Sequence, residues 1–202
     1  MFTIAITGGS GSGKTVLAEK LVEHFGPECA VIVAQDSYYC DHSHLPPEKR
    51  QEGNFDEPKA VELSLLVEQL DQLRSGQPIQ RPRYDYATHT RIGSETVTPH
   101  DIVIVDGLFV LTDDDVRGRM DLKVFVDAPE EVRVRRRVDR DRRERGRTEA
   151  EIVDRLNTTV LPMHAIHVEP GRDVTDLIVD GCGDADAEAA RVIAAINERT
   201  GR

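Results

Sequence analysis

The chain of 202 residues is long enough for one domain, or one domain with a modest insertion. Its formal net charge is −11, from 26 Lys and Arg against 37 Asp and Glu, which argues against general binding to nucleic acid or to an anionic membrane. No apolar stretch approaches the roughly 18 residues of a membrane span, Phe2-Thr3-Ile4-Ala5-Ile6 lacks the basic flank of a signal peptide, and Cys29, Cys40 and Cys182 form no CxxC pair, so a reducing, cytoplasmic setting is expected.

In chain order, Phe2–Ile6 predicts a buried strand: it is short, apolar and rich in β-branched residues. A glycine-rich stretch follows, then a helix over Val16–Phe25 with Leu17, Leu21 and Phe25 on one face. Ala30–Ala34 predicts a second strand. Asp36–Glu57 is a long polar stretch rich in His and Pro, of a length that in a compact domain is usually functional. Pro58–Arg74 reads as a helix carrying Leu66, Leu70 and Leu73. Gly76–His100 contains Pro78, Pro82 and Pro99 with short alternating runs, and fits either a β-hairpin insertion or a long loop. Ile102–Val105 and Leu122–Val126 predict further strands. Pro129 opens a helix with Val134 and Val138 one turn apart. Leu177–Val179 is the last strand, and Ala189, Ile193 and Ile196 line a tail helix. Strands alternating with helices imply an α/β sandwich with right-handed crossovers.

The charge is uneven. Arg133 to Arg147 holds nine arginines against Asp139, Asp141 and Glu144, so an arginine island sits in an otherwise acidic chain. That pattern suggests a small, highly charged anion as partner.

Gly8-Gly9-Ser10-Gly11-Ser12-Gly13-Lys14-Thr15 matches G-x-x-x-x-G-K-[ST] in full, after a strand and before a helix. The glycines let backbone N–H groups approach phosphate oxygens, and the helix start adds its positive end. Lys14 is placed to bridge the β- and γ-phosphates, and the Thr15 hydroxyl to ligate Mg²⁺. Such a loop needs a carboxylate on the metal side, and Asp106, closing Ile102–Val105, stands at the right kind of position. Asp36 closes the second strand, where ligand crevices form in open α/β sheets. It is suited to taking a proton from an attacking hydroxyl, although an Asp there also caps turns.

Several segments together resemble the uridine/cytidine kinase family, within the wider group that includes phosphoribulokinase. They are the phosphate loop, Gln35-Asp36-Ser37-Tyr38-Tyr39, Asn54-Phe55-Asp56-Glu57-Pro58, Pro82-Arg83-Tyr84-Asp85-Tyr86 with His89-Thr90-Arg91, Val105-Asp106-Gly107, the arginine stretch, Pro162-Met163-His164 and Val168-Glu169-Pro170. The resemblance implies a P-loop NTPase three-layer α/β sandwich with a mainly parallel five-stranded sheet, a β-hairpin insertion (about 76–100) and a helical arginine-rich lid (about 133–160), all in one kinase domain over 1–202. It implies ATP and Mg²⁺ as cofactors and a pyrimidine nucleoside as acceptor, phosphorylated on its 5′-hydroxyl. Asp36 would be the general base, also near the metal with Thr15 and Asp106. Tyr39 would wall the nucleoside pocket, Asp56 would bind the ribose hydroxyls, Tyr84 and His89 would contact the pyrimidine edge, and Tyr86 would pack on the ring. Arg137 and Arg147 would reach the nucleoside, and Arg140 and Arg145 the phosphates. Homo-oligomers are common in the family; neither nucleic acid nor membrane is expected as a partner.

A lid over a triphosphate gives the island a physical role, with Gly146 breaking its helix. Not all nine arginines need serve it: Arg133, Arg135, Arg136 and Arg142 are expected to include several solvated residues. Two positions depart from the family pattern. Asp106 stands where Glu is usual, and the shorter side chain leaves room for a water next to a metal. Arg155-Leu156 stands where Gln-Tyr is usual, and a guanidinium offers donors only. Arg155 therefore either favours a more anionic acceptor or folds outward. A kinase for another small hydroxyl compound, such as a sugar phosphate, and a nucleotide-dependent binding switch stay open.

Overall fold

A computed structural model describes residues 1–50, 52–145 and 148–201, without the side chains of Glu144 and Arg145. Along the chain run β1 (Phe2–Thr7), α1 (Lys14–Phe25), β2 (Ala30–Ala34), α2 (Leu63–Arg74), β3 (Ile79–Asp85), β4 (Thr90–Val97), β5 (Ile102–Asp106), α3 (Asp114–Arg117), β6 (Leu122–Asp127), α4 (Glu130–Arg145), α5 (Glu149–Arg155), α6 (Leu161–Met163), β7 (Leu177–Asp180) and α7 (Ala185–Thr200). Each strand read from the sequence is present, because a strand covered on both faces must be apolar throughout.

Five of the strands form one sheet in the order β2-β5-β1-β6-β7, and every pairing is parallel. Alternate residues face opposite layers. Ile4, Ile6, Ile102 and Ile104 pack with Leu17 and Leu21 of α1 and with Ala189, Val192 and Ile196 of α7. Ala5, Val103, Val105 and Phe125 pack with Leu66, Leu70 and Leu73 of α2. The result is a three-layer α/β sandwich.

The register aligns the strand ends that matter. Ile6 and Ala34 both lie level with Asp106. The chain leaves β1 toward β2 on one side and later fills β6 and β7 on the other, so the crevice opens at the carboxyl end of β1. Residues just beyond β1, β2 and β5 therefore converge there.

Of the two readings left open for 76–100, the hairpin is the one adopted: β3 and β4 pair antiparallel from Ile79 with Val97 to Asp85 with Thr90. Gln69 ties the hairpin to the body by accepting from Tyr38 Oη at 2.7 Å and donating to the Gln80 carbonyl at 2.9 Å. Helix α2 begins later than the expected Pro58. Pro58–Ala60 forms a single 3₁₀ turn, and Val61 then pairs with Tyr39 in an isolated bridge. That pairing holds Val61 extended and delays the helix to Leu63. After α5 the chain stays helical but widens into π-turns at Leu156–Val160 and His164–Val168, on either side of α6. Such turns recur at functional sites.

Candidate active site

The loop from Gly8 to Gly13 joins β1 to α1. Gly11 (φ 83°) and Gly13 (φ 110°) adopt left-handed backbone that only glycine takes readily. Gly11 is also confined by space, since a Cβ there would stand 2.5 Å from the Arg133 carbonyl oxygen. Lys14 Nζ donates to the Gly9 carbonyl at 3.0 Å, and Thr15 Oγ1 donates to Asp106 Oδ2 at 2.8 Å. Burial pushes Lys14 below the usual amine value, opposed by the Asp106 and Asp36 charges. Burial pushes Asp106 above the usual carboxylate value, opposed by Lys14 and by the Thr15 hydrogen bond.

These residues fit a divalent cation beside a triphosphate. Asp106 Oδ1 and Ser12 Oγ are buried without a hydrogen-bond partner among the described residues, which marks polar capacity left for something else. Asp36 and Asp106 line one cavity with Thr15, and a metal such as Mg²⁺ keeps several waters and takes one or two carboxylates plus phosphate oxygens.

One cavity of about 280 Å³ joins the two ends of the site. Its phosphate end is lined by Ser10, Lys14, Thr15, Asp106 and Arg140, and its far end by Asp36, Tyr39, Asp56, Tyr84, Tyr86, His89 and Arg137. Asp36 lies in the short turn Gln35–Tyr38 that follows β2. Its Oδ2 accepts from the Tyr86 hydroxyl at 2.7 Å. Tyr39 packs against Tyr84 with ring centroids 5.3 Å apart and donates its hydroxyl to the Phe55 carbonyl at 3.1 Å. Tyr84 Oη and His89 Nδ1 share a hydrogen bond over 3.3 Å. Burial pushes the Tyr84 hydroxyl up to about 12, so it stays protonated. His89 adopts a left-handed φ of 54°, uncommon for a residue with a side chain, and its ring stacks on Phe55 at 4.4 Å. Asp56 is held by Thr159 Oγ1 at 2.9 Å and by Arg137 Nη1 at 3.5 Å. Of the remaining expected residues, Arg147, like Gly146, lies outside the described residues, as does the Arg145 side chain.

The structure gives particular contacts to residues of the arginine island and adds Thr159, which the sequence did not single out. Arg133 is buried, not solvated: its Nε donates to the Ala128 carbonyl at 3.0 Å and its guanidinium covers Gly9. Arg136 reaches three carbonyls, those of Gly181 at 2.9 Å and of Gly11 and Ser12 at 3.3 Å. Arg142 behaves as expected of a surface residue and pairs with Glu149. Asp141 is 1% exposed and pairs with both Arg137 and Arg140. Thr159 carried no sequence signal, because it comes from the first π-turn. Arg155 is among the residues that line the cavity. A second cavity of about 330 Å³ is lined by Gly13, Val16, Leu17, Val179 and Gly181 among others.

A parallel α/β sheet with this loop after its central strand, and a carboxylate level with it on the neighbouring strand, defines a P-loop kinase fold. The chain belongs to the Phosphoribulokinase / Uridine kinase family, whose model matches residues 3–188. It is 40% identical over 200 residues to a uridine kinase of Clostridium perfringens, covering 98% of this chain and 96% of that one. It is 43% identical over 177 residues to a uridine kinase of Geobacillus kaustophilus, covering 87% and 84%. Among solved structures it is similar to phosphoribulokinase from Rhodobacter spheroides, at TM-score 0.66 and 17% identity over 90% of this chain and 72% of that one. It is also similar to D-glycerate 3-kinase from Cryptococcus neoformans, at TM-score 0.63 and 17% identity over 89% and 86%.

Proposed function

We propose that the chain is a nucleoside kinase that moves the γ-phosphoryl group of ATP to the 5′-hydroxyl of uridine or cytidine. The observation that carries this reading is the single cavity in which Lys14, Thr15 and Asp106 face Asp36, Asp56, Tyr84 and His89. The uridine kinases that match nearly the whole chain support it. We read 1–202 as one unit, with the hairpin as an insertion and α4 through the first π-turn as its lid. No described helix is long and apolar enough to cross a membrane, and a cytoplasmic enzyme is our reading.

In this mechanism the loop N–H groups and Lys14 hold the triphosphate, with the nucleotide base on the side of the second cavity. Thr15, Asp106 and Asp36 would hold Mg²⁺, which when bound offsets the charge of the β- and γ-phosphate oxygens. Asp56 takes the ribose hydroxyls, and Tyr84 and His89 the pyrimidine edge. Tyr39, beside Tyr84, forms the wall, with Arg137 fixing Asp56. Asp36 accepts the 5′-hydroxyl proton as that oxygen bonds to the γ-phosphorus and the bond to the departing ADP breaks. Arg140, which already reaches Ser10 Oγ at 3.3 Å, stabilises charge on the transferring oxygens. Arg145 and Arg147, which follow it in the sequence, are assigned to phosphate and nucleoside.

The test is formation of ADP and nucleoside monophosphate from ATP, Mg²⁺ and uridine or cytidine. Absence of turnover with both nucleosides overturns the acceptor. A second reading, a sugar phosphate as acceptor, is favoured by one observation: Arg155 lines the cavity. Faster turnover of a phosphorylated sugar than of uridine would establish it.

A further inference from the structure

The contact between Tyr86 and Asp36 is not what a residue that only packs on a base would make. The hydroxyl donates to Asp36 Oδ2 at 2.7 Å, the length of a good hydrogen bond to a carboxylate. The two residues are 50 apart in sequence and come from different parts of the fold, the turn after β2 and the turn of the hairpin.

That hairpin turn is built to present Tyr86. Asp85 accepts from the Ala87 backbone N–H at 3.1 Å and from Thr88 Oγ1 at 2.6 Å, which fixes the backbone on both sides of the tip. The Tyr86 ring rests edge-on against Tyr84, with centroids 5.4 Å apart, and against Tyr39 at 6.2 Å. The residue is nevertheless 39% exposed. It sits at the rim of the cavity, so it can swing aside without opening the core.

We propose that the Tyr86 hydroxyl is a placeholder for the acceptor hydroxyl on Asp36, withdrawing the carboxylate from water and so suppressing transfer of phosphoryl groups to water. This rests on the reading of Asp36 as the general base. An acceptor alcohol, a water molecule and the Tyr86 phenol all engage Asp36 in the same way, by donating an O–H. The phenol is attached to the protein and is the strongest donor of the three, so a single water competes poorly with it. A nucleoside competes well, because Asp56, Tyr84 and His89 hold the rest of the molecule and make its hydroxyl local. In the wasteful reaction Asp36 would take a proton from water while the water oxygen bonds to the γ-phosphorus and ADP leaves, giving ADP and inorganic phosphate. Tyr86 acts on the partition between that reaction and the productive one.

The experiment compares wild type with Tyr86→Phe, which keeps the ring and loses the donor. ADP release with ATP and Mg²⁺ is measured without nucleoside and with saturating uridine. The expected result is a rise of about tenfold in nucleoside-free ADP release, the scale of one lost hydrogen bond to a charged group. The KM for uridine falls, because a competitor for Asp36 has gone. Thr88→Ala, which loosens the turn, gives a smaller rise in the same direction and serves if Tyr86→Phe does not fold. Nucleoside-free ADP release that stays level or falls in these variants overturns the proposal. Failure of the kinase reading looks different: wild type itself would form no nucleoside monophosphate, whatever Tyr86 does.

Discussion

Thr15 Oγ1 and Asp106 Oδ2 are 2.8 Å apart, tying the first turn of α1 to the end of β5. The other Asp106 oxygen is buried without a partner among the described residues. A buried carboxylate held in this way carries a cost in the protein alone. Burial raises the folded-state pKa of Asp106. A carboxyl group raised on folding contributes stability that is complete below the ordinary carboxylate range and is lost as pH rises through the raised value.

Asp106→Asn keeps an acceptor for Thr15 and removes the charge. It is expected to lower kcat/KM by at least about 100-fold through lost metal affinity. At pH 7, without Mg²⁺ or nucleotide, the variant is expected to melt higher than wild type, and the gap closes near pH ~4 as the wild-type carboxyl protonates. Thermal melts across that range check it; a variant that melts lower at pH 7 refutes the account.

Arg136 spans the phosphate loop and the turn after β7, with the Gly181 carbonyl at 2.9 Å as its best partner. Arg136→Ala removes three contacts to backbone oxygens that shape the loop. The KM for ATP is expected to rise about tenfold while the KM for uridine changes little. An unchanged KM for ATP in steady-state kinetics would show that the loop holds its shape unaided.

His164 lies behind the loop. Its Nε2 is 3.1 Å from Glu169 Oε2 and its Nδ1 is buried without a partner among the described residues. Burial, aided by Arg133, pushes its pKa below the usual imidazole value, against the pull of Glu169. The folded protein therefore takes up a proton at His164 less readily than the unfolded chain, which does so near pH ~6.5, so stability falls as pH drops through about that value. His164→Gln is expected to flatten the dependence of denaturation midpoint on pH between about 7.5 and 5.5. Equal slopes for the two proteins would refute this.

How far the sequence could be read follows from what each region buries. The central strands bury both faces, and the edge strands β2 and β7 are short apolar runs too, so all five stood out. Gly8–Thr15 is legible because phosphate chemistry restricts the residue types at Gly8, Gly13, Lys14 and Thr15. Helix α4 was harder. Its inner face covers polar loop backbone, so Arg133, Arg137 and Asp141 point inward where an apolar stripe would normally lie. Their four-residue spacing was the available signal, masked by the arginines around them. Thr159 was out of reach, because a π-turn breaks the 3.6-residue period that places a side chain on a face. The pairing of Tyr86 with Asp36 depends on how the hairpin is docked, and nothing local encodes that.

Arg155 is the departure whose meaning a substitution can decide. Around the cavity Arg137 is engaged by Asp56 and Asp141, and Arg140 by Asp141 and Ser10. Arg155 makes no ion pair among the described residues, yet it lines the same cavity as Asp56, Tyr84 and His89. A guanidinium with donors only is a poor neighbour for a group that must itself donate, such as a ribose hydroxyl, and a good one for an anion. Arg155→Gln restores both donor and acceptor capacity there. With a nucleoside as the natural acceptor, kcat/KM for uridine is expected to rise by about threefold to tenfold, the scale of one neutral hydrogen bond. With a sugar phosphate as the natural acceptor, the same change removes the cation that pairs with its phosphate, and turnover of that acceptor falls about tenfold or more. The two outcomes differ in sign on different acceptors, so one panel of uridine, cytidine and phosphorylated sugars, run on both proteins, separates them.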